Sequence, residues 1–382
     1  MIARLRPLGI AALLLLLAWF AGGQRPLGRV DPALALPLLL LPMLALGWWQ
    51  RGEPRAARQR AILATLLAVA VGQGLFAWLL AGRAGWGQIA LVLVVGAAAG
   101  WLSDALVQRR TWARALRVAV AAVVLAAWFV VGHALLARLY RAPAPSTDAP
   151  VVTMLTGLPL RWSGDDLTTM IAAGAQEDPA LARIEAAGPV RLVDSLADHV
   201  PPPGGTLLLA HPRALAPRDL IAVDAFVRGG GRAVILADAL SGWPVERPLG
   251  DPRNPPVTSL LTPLLDHWGI TLGAAPVGET AARAYDVGGA RLRLFSAGRF
   301  ERLPPTCAAF AGGRVAQCRI GAGEAWLVGD ADLLFAPLWR PAVPGADHLR
   351  RADTMEWLDA RLRGAGAERA LLHPLWIRAR QP

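Results

Sequence analysis

The chain has 382 residues, 54% of them hydrophobic and 18% charged, with a formal net charge of +11 and a mean hydropathy of +0.40, too apolar for an ordinary soluble enzyme of this size. No lysine occurs, which excludes Schiff-base and Walker-type lysine chemistry and with it intrinsic P-loop ATPase activity. Residues 1–140 hold 14 Arg and 3 acids (Asp31, Glu53, Asp104), leaving 25 Arg balanced by 25 acids in 141–382, so the excess charge lies between apolar runs and nucleic acid is disfavoured as a partner.

Five apolar segments are predicted in chain order within a transmembrane region 1–140: about residues 7–23, 32–49, 61–81, 88–107 and 116–137. Each is close to the roughly 17–25 residues that cross a bilayer as a helix. Ten arginines (Arg4, Arg6, Arg51, Arg55, Arg58, Arg60, Arg109, Arg110, Arg114 and Arg117) fall on one side of this arrangement, against Arg25, Arg29 and Arg83 on the other. The positive-inside bias then predicts a cytoplasmic N-terminus and an extracytoplasmic C-terminal half. The first segment also reads as a signal peptide, with two arginines, a leucine run and small residues Ala21 to Gly23; cleavage leaves four spans and the same final side. Pro37 and Pro42 are expected to kink the second span, and Trp48, Trp49 and Trp86 suit interfacial positions. Asp104 and His133 are the ionisable groups within spans. Asp104 lies within a turn or so of the Arg109 and Arg110 loop, where it can reach headgroup water or an arginine. Two such groups are too few for a proton or ion pathway, and the region reads as an anchor or docking bundle.

Residues 141–150 (RAPAPSTDAP) form a Pro-rich linker to a domain over 151–382, long enough for a full core. Short apolar runs predict strands at 151–156, 190–194, 206–210, 233–237 and 325–329. Near-continuous apolar strands suit a parallel sheet covered on both faces. Between the third and fourth runs, Leu220, Ile221, Val223, Phe226 and Val227 mark one face of a helix that Gly229 to Gly231 stop, giving a β-α-β crossover. Further helices are expected at 258–268 and 347–362. The fold class is an α-helical membrane bundle followed by an α/β doubly wound, mainly parallel sheet with a β-hairpin insertion at 285–320.

Within that insertion Gly312-Gly313 supplies the pair of a two-residue hairpin, in which facing residues have numbers summing to 625. Cys307 and Cys318 satisfy that sum. Directly opposed positions permit a disulfide, and an extracytoplasmic bacterial compartment is oxidising, which favours a bond over two incidental buried thiols. CxxC redox spacing and zinc-cluster spacing are absent.

Three phrases are more specific than generic patterning: LLLAHPRALAPRDLIAVDAFVRGGGRAVILAD (207–238), SLLTPLLDHWGITLG (259–273) and GEAWLVGDADLL (323–334). Through them residues 151–362 resemble the extracytoplasmic domain of gliding-motility-type ABC-transporter auxiliary proteins and related membrane-anchored domains of unknown function. The resemblance implies a class I glutamine-amidotransferase-like sheet, a transport accessory without an established reaction, and membrane protein partners such as ABC transporter subunits. Two departures stand out: PGADHLRRADTMEWL lacks the Asn-rich segment common after the family's last strand, and five spans exceed the simpler anchoring expected of its members.

An open α/β sheet binds ligands at the C-terminal ends of its strands, which selects Thr156, Asp194, His211, Arg213, Asp238, Asp330 and Asp332 as a candidate ligand crevice. Asp, His and Arg there could hold a metal or phosphate, yet Asp after a strand is also a common cap and His211 precedes Pro212 in a turn. Neither cysteine follows the 206–210 strand, where an amidotransferase nucleophile would lie, and G-x-S-x-G and G-x-C-x-G are absent. Gly229 to Gly231 close a helix instead of opening one, so no dinucleotide fingerprint is present. No catalytic residue, cofactor or bound metal is expected. The leading expectation is a non-catalytic accessory component of a bacterial inner-membrane assembly with its α/β domain in the periplasm; the alternative is a degenerate or metal-assisted hydrolase using the Asp/His cluster.

Overall fold

The computed structural model describes residues 2–109, 113–142, 149–161, 178–245, 247–248, 250–251, 254–364 and 370–379. Arg110 and most of the Pro-rich linker lie outside the described residues. Two compact units emerge: one of 1–142, 341–350 and 369–378, the other of 143–340, 351–368 and 379–382.

The first unit is helical. Its elements are α1 (Ile2–Phe20), a 3-10 helix (Pro32–Leu38), α2 (Leu40–Trp49), α3 (Arg55–Ala81), α4 (Trp86–Gln108) and α5 (Arg114–Tyr140). Four helical stretches, Arg6–Leu27, Arg55–Ala81, Trp86–Gln108 and Ala115–Tyr140, are long and apolar enough to cross a membrane. The second expected span is not one rod: Pro32–Leu38 and Leu40–Trp49 meet at a 63° bend. Pro37 lies in the 3-10 turn, where its ring and missing N–H disfavour a continuous α-helical ladder. Leu63, Leu67, Val71, Trp78, Val94, Trp101, Val123 and Val130 are exposed on the long helices, an apolar surface that hydrocarbon would cover.

Inside this unit sits a polar knot. Arg29 and Asp31 form a fully buried ion pair at 2.7 Å. Tyr140 donates to Asp31, Arg29 donates to the His348 carbonyl, and the Arg29 guanidinium lies 5.4 Å from the Tyr140 ring centroid and 5.2 Å from that of Trp376. His348 and His133 meet ring nitrogen to ring nitrogen at 2.9 Å. Burial, the neighbouring His133 and Arg29 push the His348 imidazole down to about 4, which keeps it neutral near pH 7. Asp104 reaches an arginine as expected: it pairs with Arg58, Nε to Oδ1 at 2.6 Å, because α3 carries Arg58 alongside α4.

The second unit is built on a seven-stranded sheet, β2-β1-β3-β4-β11-β10-β9. Its strands are β1 (Val152–Thr156), β2 (Val190–Leu192), β3 (Thr206–Ala210), β4 (Arg232–Leu236), β9 (Cys307–Phe310), β10 (Val315–Ile320) and β11 (Gly323–Val328). The five strands from β2 to β11 in that order run parallel. β10 and β9 continue the sheet antiparallel. Thus part of the expected insertion extends the main sheet, while β6 (Arg283–Val287) and β7 (Ala290–Leu294) make a separate ribbon, and β5 (Thr271–Leu272) pairs with β8 (Phe300–Arg302).

Alternation along the strands divides the core. Met154, Leu208, Val234, Trp326 and Val328 face one cluster with α6 (Pro179–Ala186) and α9 (Thr354–Arg363). Leu155, Leu207, Leu209, Ile235 and Leu327 face the other with α7 (Pro217–Arg228) and α8 (Thr262–His267). Burial on both faces is why these strands read as unbroken apolar runs. α7 begins with Pro217 at its first turn and buries Val223 and Val227. It ends where the Gly231 amide reaches back to the Phe226 carbonyl and Gly230 takes φ +104°, a conformation open to glycine.

Several expected boundaries shift: the helix expected at 258–268 spans only Thr262–His267, and the strand expected at 190–194 ends at Leu192. The helix expected at 347–362 starts only at Thr354, since Asp347–Leu349 is a short 3-10 turn grouped with the first unit. The hairpin register holds, with Val315 opposite Phe310 and Cys318 opposite Cys307. Its turn is longer than the expected two residues, because Ala311, Gly312 and Gly313 all take positive φ and carry the chain around in four residues. Cys307 and Cys318 are bonded, with Cα atoms 4.0 Å apart.

Candidate functional site

The strand-end residues differ in burial and in what they bond. Thr156 closes β1: its hydroxyl donates to the Ala210 carbonyl and accepts from the Leu158 amide. Asp194 is exposed after β2, and Arg213 is exposed with its guanidinium on the Asn254 carbonyl. These three are positioned as loop fasteners or as solvated surface.

His211 is fully buried with φ +49°. Its Nε2 lies 2.7 Å from the Pro256 carbonyl, which can only accept, so Nε2 carries the hydrogen. Nδ1 then receives the Ser259 hydroxyl at 2.9 Å. Burial lowers the imidazole pKa, opposed by the bond to Pro256. Both ring nitrogens are spent on the Pro256–Ser259 loop, leaving neither for a metal or a substrate proton.

The three remaining aspartates do converge. Asp238 follows β4, and Asp330 and Asp332 follow β11, adjacent parallel strands that end side by side. One ligand oxygen from each lies within 4.8 Å of the others, and all three residues are buried. Asp238 accepts from the Leu240 and Ala331 amides. Asp332 accepts from the Ser241 hydroxyl and the Gly242 amide. Asp330 accepts from the Phe295 amide through Oδ2, while its Oδ1 is buried without a hydrogen-bond partner. The carboxylates therefore stitch the loops after β4, β7 and β11 together.

Such crowding has an electrostatic consequence. Burial, and next the Asp332 charge, push the Asp238 carboxyl up to about 7. Burial, then Asp238 and Asp332, push Asp330 well above the ordinary carboxylate range. Burial raises Asp332 as well, against its bonds from Gly242 and Ser241. Like charges in a low-dielectric site favour retained protons, so the cluster holds protons near neutrality. It can act as a proton-bearing staple or, once deprotonated, offer oxygen ligands to a hard cation.

Two features were not anticipated from the sequence. The Arg29–Asp31–Tyr140–His348 knot joins residues separated by up to 319 positions, and only Asp31, flanked by apolar residues, offered a hint. The second is a cavity at the N-terminal ends of β4 and β11, on the sheet end opposite the expected crevice.

Residues 176–285 match the family model described as ABC-type uncharacterized transport system. A comparison with curated proteins finds no match. Among solved structures, the chain is similar to an exo-β-1,4-mannosidase from Opitutaceae bacterium strain TAV5, at 12% identity and a TM-score of 0.34, covering 62% of this chain and 39% of that one. It is also similar to a β-galactosidase from Rahnella sp. R3, at 15% identity and a TM-score of 0.28, covering 58% and 34%. A third is the β-galactosidase from Bacillus circulans sp. alkalophilus, at 13% identity and a TM-score of 0.29, covering 65% and 36%. The chain thus spans little more than a third of the length of these enzymes, and likenesses at this level fix neither fold nor function.

Proposed function

We propose that the chain is a membrane-anchored, non-catalytic accessory component of an ABC-type transport or cell-envelope assembly, acting through an extracytoplasmic α/β domain that binds a partner or ligand. The observation that carries this reading is the match of residues 176–285 to the ABC-type transport family. The state of the strand-end groups supports it: the buried histidine and the aspartates hold backbone, in contrast to an acid or base presented to a substrate. In this reading the bent pair of helices at 32–49 completes a fifth span, and the ten-to-three arginine bias sets the N-terminus in the cytoplasm. The domain after residue 150 then lies in the periplasm of a bacterial inner-membrane protein, on a doubly wound, amidotransferase-like sheet.

The direct test is purification from native membranes with identification of what accompanies the chain. Recovery of ATP-binding and permease subunits of one transporter in fixed stoichiometry supports the reading, and a chain that purifies alone under crosslinking refutes it. A reporter active only in the cytoplasm, fused after Pro382, is expected to be silent.

The convergence of Asp238, Asp330 and Asp332 favours one competing reading, a metal-assisted hydrolase. His211, which that reading would have recruited, is held by Pro256 and Ser259. Stoichiometric zinc or manganese in the purified protein, with hydrolase activity lost in Asp330→Asn, would establish the competing reading.

A further inference from the structure

The cavity at the N-terminal ends of β4 and β11 measures about 380 Å³ and opens to solvent. Two arginines line it: Arg232, the first residue of β4, and Arg361, on α9. The Arg361 guanidinium lies 4.3 Å from the ring centroid of Trp326 and 5.5 Å from that of Trp357. Its Nε is buried with no hydrogen-bond partner. Among the described residues neither guanidinium has a hydrogen bond or ion pair, whereas most arginines of this unit have one. Two left-handed glycines make the room: a Cβ at Gly288 would lie 2.9 Å from Arg361, and one at Gly364 would lie 2.7 Å from Arg232.

A buried guanidinium N–H without an acceptor is costly, and stacking on indole fixes the plane of the fork while leaving its edge free. With the half-buried Arg232 guanidinium lining the same cavity, the two forks suit a planar oxyanion. The third charged group refines the choice. Glu324 pairs in register with Arg232, and its Oε1 accepts from the amide of Gln317 at 2.9 Å and the indole of Trp326 at 2.6 Å. One carboxylate against two guanidiniums leaves a net charge of +1. That matches a monoanion and opposes a dianion such as phosphate. Oε2 of Glu324 is an acceptor for a hydroxyl or an ammonium on the same ligand.

We propose that this cavity binds a small monocarboxylate carrying an adjacent hydrogen-bond donor, either a sugar acid or an amino acid, with its carboxylate between Arg232 and Arg361 and its donor on Glu324. The site is separate from the strand-end cluster, and it stands or falls independently of the transport-accessory reading.

The test is calorimetric titration of the full-length chain in lipid nanodiscs with D-glucuronate, L-leucine, D-glucose and inorganic phosphate. Saturable binding of glucuronate or leucine, with glucose and phosphate weaker, is expected. Arg232→Gln and Arg361→Gln should each weaken it about tenfold or more, the effect of losing a charged hydrogen-bonding partner. Glu324→Gln assigns the source, because an ammonium loses its counter-charge whereas a hydroxyl keeps an acceptor: leucine binding should fall much further than glucuronate binding. Arg361→Gln also removes contact with two tryptophans, so if it misfolds the half-exposed Arg232 decides the question. Absence of binding by both carboxylates, unchanged affinity in Arg232→Gln, or a preference for phosphate overturns the proposal.

Discussion

Arg29 and Asp31, two residues apart, form an ion pair whose side chains have no exposed surface, capped by the Tyr140 hydroxyl and the His348 carbonyl. Removing one partner from such a pair leaves an uncompensated buried charge. Asp31→Ala is therefore expected to destabilise the helical unit by about 3–5 kcal/mol. Replacing both, as Arg29→Met with Asp31→Leu, should restore much of that loss, because the desolvation cost disappears together with the attraction. Thermal melts followed by fluorescence-detected size exclusion in detergent would rank the variants; equal loss in the single and double variants would contradict the argument.

Cys307 and Cys318 close a loop with a sequence separation of 11 between β9 and β10. Reduction, or Cys307→Ser with Cys318→Ser, should cost about 2–3 kcal/mol through the entropy of the opened loop. The denatured, unreduced protein should not react with a maleimide, and after reduction it should take up two. Two labelled thiols before reduction would show that the bond does not form in the cell.

Gly323 begins β11 where the end of α7 crosses it. A Cβ there would lie 2.1 Å from the Val227 carbonyl oxygen and 2.3 Å from that of Gly231. Both obstacles are backbone, so relief requires the helix or the strand to move. Gly323→Ala is expected to cost about 3 kcal/mol or more, read as loss of folded protein in a protease-resistance assay. Gly230→Ala, with open space around its Cβ position but φ +104°, should cost less.

Much of this architecture was legible because local and long-range demands agree. The runs at 152–156, 206–210 and 232–236 are apolar on both faces because helices cover both, and a hydrophobic run bounded by turns reports that directly. The register of Cys307 with Cys318 was legible since two glycines centre the turn, even though Ala311 also takes positive φ and lengthens it. Pairings between distant segments were not. Asp104 pairs with Arg58 on a neighbouring helix, 46 positions away, and residues 341–350 join the helical unit after the last strand, where sequence periodicity is silent. At the candidate site, proximity of Asp330 to Asp332 follows from spacing. Their approach to Asp238 follows only from β4 pairing with β11, and no pattern within either strand shows that His211 is consumed by Ser259 and Pro256.

The carboxylate cluster predicts a pH dependence with a definite sign. Unfolded, Asp238 titrates near 3.8; folded, it is pushed up to about 7, and burial with the neighbouring carboxylates also raises Asp330. A carboxyl whose folded pKa lies above its unfolded value binds more protons when native, so stability falls as pH rises. The contribution is fully present below the unfolded value and is lost as pH rises through about 7, and the raised Asp330 acts in the same direction. Hydrogen exchange of peptides from β4 and β11, corrected for intrinsic rates, should accordingly show protection declining between about pH 4 and pH 7. Asp330→Asn keeps an acceptor for the Phe295 amide and carries no charge at any pH. It should flatten the decline and raise protection at pH 8. An unchanged slope in that variant, or protection rising with pH, would place the titrating groups elsewhere; a rise produced by adding manganese or zinc at pH 8 would instead reveal a cation held by the deprotonated cluster.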